Sequence, residues 1–548
     1  MMPFRAPSRT AFAWLLVVVA ILWFALLGYR DLADPDEGRV AEIAREIVAT
    51  GDWLTLHLNG IDYFAKPPLQ YWATAATFAL FGAGEATARL SLALAAFAGV
   101  LWTGFVGYRL FGAAAGATAA AVLSSTLLYV ALGHVLTPNM SVTLFMTLGI
   151  GALLLAQSRR DDRGHVRRWM LLGWAALALA VLSKGPMGVV LPGAVVVVYL
   201  LWQRDWALLR HLEIGWGVVV FLAVAAPWFV AVSVANPDFP RVFFIEEHLD
   251  RYATSAFHRD QPFYYFVPVL ALGVLPWLPR LAQVLGRPRF DWWPAPGQGF
   301  DAERFLWIYV VFIFAFFSMG RSKLPTYLLP ILPALALLMG RRLAQVRSLR
   351  LDAVVTGLLG GVLLVGSGVV ERFATESFTA PMLGAYRPWI AAAGLSLLAG
   401  AAAAWQARAP WRSVAAIALS ALLGFQLIGW GYQTLEEPRS SAAEAAAIRP
   451  LLEPDTPVFA VGRYNSSLPF YLGRTIALVR YKPRRELDFA DDVYQHLPTV
   501  EDFRREWDTR EGQAIAVFRT SDLDAPPFHG LPGRVIYQSP TKTALARR

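Results

Sequence analysis

The sequence predicts an all-α polytopic membrane domain of about thirteen transmembrane helices followed by a small soluble α/β domain. Three observations lead there. Hydrophobic residues make up 56% of the 548-residue chain. Apolar runs recur from Ala11 to Gly431, and a helix needs about 20 such residues to cross a bilayer. After Trp430 the texture changes to short apolar stretches separated by charges.

The runs fall at 11 to 29, 87 to 110, 112 to 132, 138 to 157, 169 to 183, 186 to 202, 213 to 235, 263 to 283, 304 to 319, 325 to 340, 352 to 370, 389 to 405 and 411 to 431. Arg5 and Arg9 precede the first, as in a signal peptide, but the run is long and lacks a small-residue cleavage site, so it reads as an uncleaved anchor. The absence of cysteine excludes disulfides and thiolate metal sites.

A net charge of +9 does not point to nucleic acid, because the cations lie in short loops between apolar runs and form no stripe. With a cytoplasmic N-terminus, the tail and alternate loops carry eighteen arginines against twelve cations in the opposite loops, as the positive-inside rule requires. That orientation puts the loop 30–86 and everything after 432 outside the cytoplasm. The expected division is a membrane domain over 1–432 and a soluble domain over 433–548. In the latter, "PVFAVG", "TIALVRY", "QAIAVFR" and "RVIYQS" read as buried strands, while 439–452 and 499–508 read as helices, with Ser441 and Glu444 at capping-box spacing.

The outer side holds the unusual chemistry. Only five of the 49 basic residues are lysine, and Lys66, Lys184 and Lys323 all fall at outer helix ends, in "FAKPPLQYW", "LSKGPMG" and "RSKLPTYLLP". Proline follows each within two residues, freeing backbone groups near the ammonium. Snorkelling to the interface accounts for one such lysine; three on one side point to an anionic ligand, and a compact ammonium suits phosphate. The acidic segment "DPDEGRVAEIAREI" starts a short amphipathic helix near Glu37, with Ala41, Ile43, Ala44, Ile47 and Val48 on one face and Asp36 and Glu37 at its N-terminus. Helix capping by Asp34 or Asp36 is the plainer reading of those acids. The segment 69–82 is too short to span and is expected in the interface with Tyr71 and Trp72. In "FFIEEHLDRY", a solvated helix face is the plainer reading; a divalent cation held by Glu247, His248 and Glu37 is the alternative.

"DEGRVAEIAREI", "KPPLQYW", "KGP", "EEHLDRY" and "SKLPTYLLP", in that order, resemble the polyprenyl-phosphate-dependent membrane glycosyltransferases of GT-C architecture, and within them the bacterial aminoarabinose transferases that modify lipid A, relatives of the protein O-mannosyltransferases. The resemblance implies an undecaprenyl-phosphate-linked sugar donor, a lipid A acceptor, and a catalytic pair at Asp36 and Glu37. It implies a donor-phosphate site from Arg39, Lys66, Lys184, Arg251, Lys323 and Tyr327, with Tyr63 and His248 nearby. A related transferase with another sugar or a protein hydroxyl acceptor is the nearest alternative. A flippase for lipid-linked sugars is a more distant one, though no internal repeat supports it; a sensor or scaffold would leave the lysines unexplained.

Overall fold

The computed structural model describes residues 6–250, 261–286, 299–480, 496–523 and 530–547, without the side chains of 248–250 and His496. The chain is mainly helical, as lipid demands: backbone polar groups must be satisfied within the segment that crosses. Every apolar run coincides with helix. Among the described residues, nine helices are long and apolar enough to cross a membrane, and Arg9–Phe24, Ala113–Ser124, Met187–Gln203 and Phe263–Gly273 are shorter apolar helices in four further runs. The run 112–132 breaks where the Ser125 and Thr126 hydroxyls donate back to the carbonyls of Ala121 and Val122, a local bond that competes with continued helix. The run 263–283 breaks at Pro276, which has no N–H to give.

The elements that matter for the site come early: α1 (Arg9–Phe24), α2 (Asp36–Thr50), α3 (Leu69–Phe81), α4 (Glu85–Phe111), α5 (Ala113–Ser124), α6 (Leu127–Leu132), α7 (Pro138–Gln157) and α8 (Arg163–Lys184). A two-stranded hairpin, β1 (His57–Leu58) with β2 (Ile61–Asp62), joins α2 to α3. The buried stripe of α2 is Val40, Ala41, Ile43, Ala44 and Ile47, while Val48 is exposed, a correction by one position in the expected face. Tyr71 of α3 is also buried, not interfacial, because α3 packs between α2 and α4.

Beyond the last long helix, Pro410–Gly431, four short helical segments between Tyr432 and Leu451 lead into a six-stranded sheet of order β5-β4-β3-β6-β8-β7. Its strands are β3 (Val458–Val461), β4 (Ala477–Val479), β5 (His496–Leu497), β6 (Ala514–Arg519), β7 (Arg534–Gln538) and β8 (Lys542–Arg547). The four strands read from sequence are present, but only β3, β4 and β6 are buried; β7 lies at the sheet edge and is largely exposed, and β5 and β8 are additional. β3 pairs in parallel with both β4 and β6, whereas β8 runs antiparallel to β6. A helix does begin at Ala442, but the Ser441 hydroxyl accepts from Asn465 instead of closing a capping box.

This sheet unit docks on the loop 30–86. Asn59 exchanges hydrogen bonds with the backbone of Ile476, and Asp34 accepts from the Ser467 N–H at 2.9 Å and from its hydroxyl. Gly38 lies against Ser467 so closely that a Cβ there would sit 2.6 Å from the Ser467 nitrogen. The glycine of "DEGR" is therefore a contact between two parts of the chain.

Glu37 fixes α2 from the other side. It is fully buried, and the Arg89 guanidinium of α4 grips both its oxygens at 2.8 and 2.7 Å. Arg89 also donates to the carbonyls of Leu27, Arg30 and Asp31, and Glu37 accepts from the N–H groups of Ala33 and Leu136. Burial alone would raise the Glu37 carboxyl, but Arg89 overrides it and holds it at about 2. The contribution of the pair is thus fully present above the ordinary glutamate value of 4.5 and is lost as pH falls toward about 2. Removing one partner of a buried pair strands the other charge and costs about 3 to 5 kcal/mol. Glu37→Gln and Arg89→Met are each expected to lower the thermal midpoint of the detergent-solubilised chain sharply, with the double variant recovering part of the loss.

Candidate functional site

The helix ends that carry the lysines are built by their sequence motifs. α8 closes with Lys184 because Gly185, at φ +103°, turns the chain and Pro186 opens the next helix. The ammonium then sits at a helix C-terminus, where positive charge is favoured. It donates to the Asn139 side chain of α7 and lies 5.3 Å from the centre of the Tyr327 ring, within cation–π range. Tyr327 belongs to the tight helical segment Pro325–Ile331, its ring tilted 34° against that of Phe317 with the centres 5.0 Å apart. Lys323 is buried four residues earlier and donates to the carbonyls of Gln261 and Gly320.

Lys66 precedes α3, which Pro67 and Pro68 introduce. Its ammonium donates to the Ala65 carbonyl at 2.6 Å and to Glu247 at 2.8 Å, tying the first loop to the wide helical segment Arg241–Asp250. Gln70 of α3 accepts from Ser141 of α7 and donates to Ser91 of α4 at 3.2 Å, so the "KPPLQ" segment is fastened to the start of α7.

These bonds bring most of the predicted residues to one end of the bundle. Leu136 holds Glu37 and Asn139 holds Lys184; three residues of chain span at most about 11 Å. Ser141, two residues further on, holds Gln70. Asp36, beside Glu37, points outward with a side chain 58% exposed and pairs with Arg39 at 2.5 Å. Tyr63 is buried, its hydroxyl 3.5 Å from that of Tyr71. Arg251 and the side chain of His248 lie outside the described residues. Two of the carboxylates considered for a metal are engaged by cations, Glu37 by Arg89 and Glu247 by Lys66, and among the described residues no cluster of three acidic or imidazole side chains could hold an ion. Asp34 and Asp36 do not cap α2, whose first turn lacks a side-chain cap.

A cavity of about 580 Å³ opens on the opposite side of the α2 start, between Asp34, Pro35 and Arg39 and the sheet unit. Of the residues singled out from sequence, Arg39 lines it. Sequence reasoning missed Arg89, Asn139 and Gln70. A signal existed for the first, since Arg89 is an ionisable residue at the start of an apolar run.

The model of the aminoarabinose transferase C-terminal domain family matches residues 444–547, and that of the dolichyl-phosphate-mannose-protein mannosyltransferase family matches 65–230. An undecaprenyl phosphate-α-4-amino-4-deoxy-L-arabinose arabinosyl transferase of Edwardsiella ictaluri is 31% identical over 450 residues, 79% of each chain. The chain belongs to this arabinosyl transferase family. A second member, from Pseudomonas fluorescens, is 34% identical over 68% of this chain and 66% of its own. The crystal structure of ArnT from Cupriavidus metallidurans bound to undecaprenyl phosphate superposes with a TM-score of 0.90 at 35% identity, over 98% of both chains. The arabinosyl transferase fold therefore extends over nearly the whole chain, including the sheet unit that carried little of the sequence resemblance.

Burial raises the Asp34 carboxyl to about 6 despite its bonds from Ser467. Between the ordinary value of 3.8 and about 6 the native state holds a proton that the unfolded chain has released, so this group's contribution to stability falls as pH rises through that window. Asp34→Asn is expected to flatten the dependence of the thermal midpoint on pH between 4 and 6; an unchanged slope would contradict the assignment.

Proposed function

We propose that the chain transfers 4-amino-4-deoxy-L-arabinose from undecaprenyl phosphate to a lipid A phosphate at the periplasmic face of the bacterial inner membrane, giving resistance to polymyxin and cationic peptides. The observation that carries this reading is the gathering of Lys184, Tyr327, Lys66 and the α2 start at one end of a helical bundle whose fold matches an undecaprenyl phosphate-bound relative throughout.

In the reaction, an oxygen of the acceptor phosphate forms a bond to the anomeric carbon as the bond from that carbon to the undecaprenyl phosphate oxygen breaks, and the electron pair leaves on the donor phosphate. The growing charge falls to Lys66, Lys184 and Lys323, with Arg251 completing the basic site. Fixed cations away from bulk water stabilise such a charge without reorganising. A phosphate monoester is already largely ionised near neutral pH, so the acceptor needs no general base. Asp36, exposed and paired only one turn away with Arg39, is suited to receive the ammonium of the amino sugar. Glu37, enclosed by Arg89, holds Asp36 in place, a positioning task instead of the contact role expected for it. Tyr63 and His248 remain the sugar-contact residues that the family resemblance implies. Because donor and acceptor are both lipid-anchored, a site at the membrane edge joins them without extracting either. A phosphate capped by a cationic sugar attracts cationic peptides less strongly.

Mass spectrometry of lipid A from cells with and without the protein is expected to show a gain of aminoarabinose only when it is present. With purified protein in detergent, donor lipid and lipid A, product should form without a sealed bilayer; product only across a bilayer would favour the flippase. Lys184→Met is expected to reduce turnover by about 100-fold, in the range seen when one charge-stabilising donor is removed, with Lys184→Arg retaining more. Asp36→Asn is expected to impair turnover as well. If it kept full turnover with intact donor binding, the role assigned to Asp36 would fail.

A further inference from the structure

The cavity between the α2 start and the sheet unit is lined by none of the three lysines, though Arg39, expected at the donor phosphate, stands on its wall. It lies where a ligand is expected in an open α/β sheet. From β3 the chain moves to β4 and β5 on one side, then returns to β6 on the other, so the strand order reverses between β3 and β6. Crevices at the carboxyl ends of strands flanking such a reversal are recurrent binding sites. Arg463 follows β3, Arg519 ends β6, and both line the cavity.

Two further arginines, Arg39 and Arg439, complete the wall. Arg439 and Arg519 are exposed, and among the described residues neither has a carboxylate partner. Arg463 is fastened by its own donors to Asn465 at 2.8 Å and to the Thr541 carbonyl at 3.4 Å, which orients the guanidinium without neutralising it. Burial pushes Arg463 below the usual arginine range; Glu444 and Asp34 oppose this, and Arg519 adds to it. The Thr541 hydroxyl is buried on the same wall and has no hydrogen-bond partner among the described residues, an open polar group that a native fold seldom leaves. The lining also includes the carboxylates of Asp34 and Glu376, so the site carries both signs with cations in excess. Its volume is that of a small-molecule site.

We propose that this cavity binds the phosphorylated saccharide headgroup of the acceptor, with Arg463, Arg519 and Arg439 on the phosphomonoester and Asn465 and Thr541 on sugar hydroxyls. The assignment rests on the transferase reading above and adds to it the place of the second substrate. Forked guanidinium groups match phosphate oxygens in pairs. Arg39 reaches from this cavity to Asp36, so the two substrates meet at the α2 start, the acceptor coming from the sheet side and the donor from the lysine side. Asp34 and Gly38, both in contact with Ser467, fix the α2 start against the sheet unit at this junction.

The test uses the full-length chain in detergent. Binding is measured calorimetrically, without donor, for a water-soluble phosphorylated glucosamine disaccharide, the same disaccharide lacking phosphate, and inorganic phosphate. The phosphorylated disaccharide is expected to bind at least 10-fold more tightly than either control. Arg519→Gln, on an exposed side chain, and Arg463→Gln should each weaken it about 10-fold, Arg463→Lys less so. In turnover assays the same variants should raise KM for lipid A while leaving KM for the donor unchanged. Equal binding of the unphosphorylated disaccharide, inorganic phosphate binding as tightly as the phosphorylated sugar, or no effect of the two substitutions on acceptor KM would each overturn the proposal. A wild-type chain that binds the phosphorylated disaccharide but transfers nothing to lipid A would instead overturn the transferase reading and leave this site standing.

Discussion

The buried pair between Glu37 and Arg89 is the constraint on which the arrangement of this end of the molecule depends. One guanidinium satisfies a carboxylate and three backbone carbonyls, while the carboxylate draws in the amides of Ala33 and Leu136. A charged pair is costly to bury and is tolerated where its hydrogen bonds are saturated. Here they are, and the pair joins the first loop, α4 and the entry to α7 in one rigid knot. Asp36, the residue before it, faces outward because Glu37 faces in.

From that knot the chemistry divides by direction. Toward α7 and α8 lie Asn139, Lys184 and Tyr327; toward the sheet lie Arg39, Arg463 and Arg519. Local backbone features hold each side: a glycine-terminated helix at Lys184, two prolines ahead of α3, and a glycine contact at Gly38. Lipid-anchored substrates supply their own confinement, so the protein's task is largely orientation and electrostatics.

The helical membrane architecture was legible because lipid permits few alternatives: an apolar run must be helix, and only its breaks at Ser125–Thr126 and Pro276 were hidden in local side-chain and proline effects. The lysine sites were legible because lysine is rare in this chain and proline marks where backbone opens. What stayed hidden was partnership. Periodicity put Asp36 and Glu37 side by side at a helix start and could not tell that one is buried and the other exposed, since that depends on Arg89, some fifty positions away in the chain. The cavity was hidden for the same reason. Arg463 and Arg519 look like ordinary surface charges until parallel pairing of β3 and β6 brings their carboxyl ends together. β8 was hidden because its sequence, KTALAR, lacks the apolar run expected of a strand buried between β6 and β7.

The most direct test of the knot is amide hydrogen exchange on the full chain in detergent, wild type against Glu37→Gln. If the pair organises this end, peptides covering 31–40 and 133–137 lose protection together in the variant, while those within Pro410–Gly431 are unchanged. Unaltered protection of the two loops would contradict the account, because the start of α2 would then be held by something other than the carboxylate.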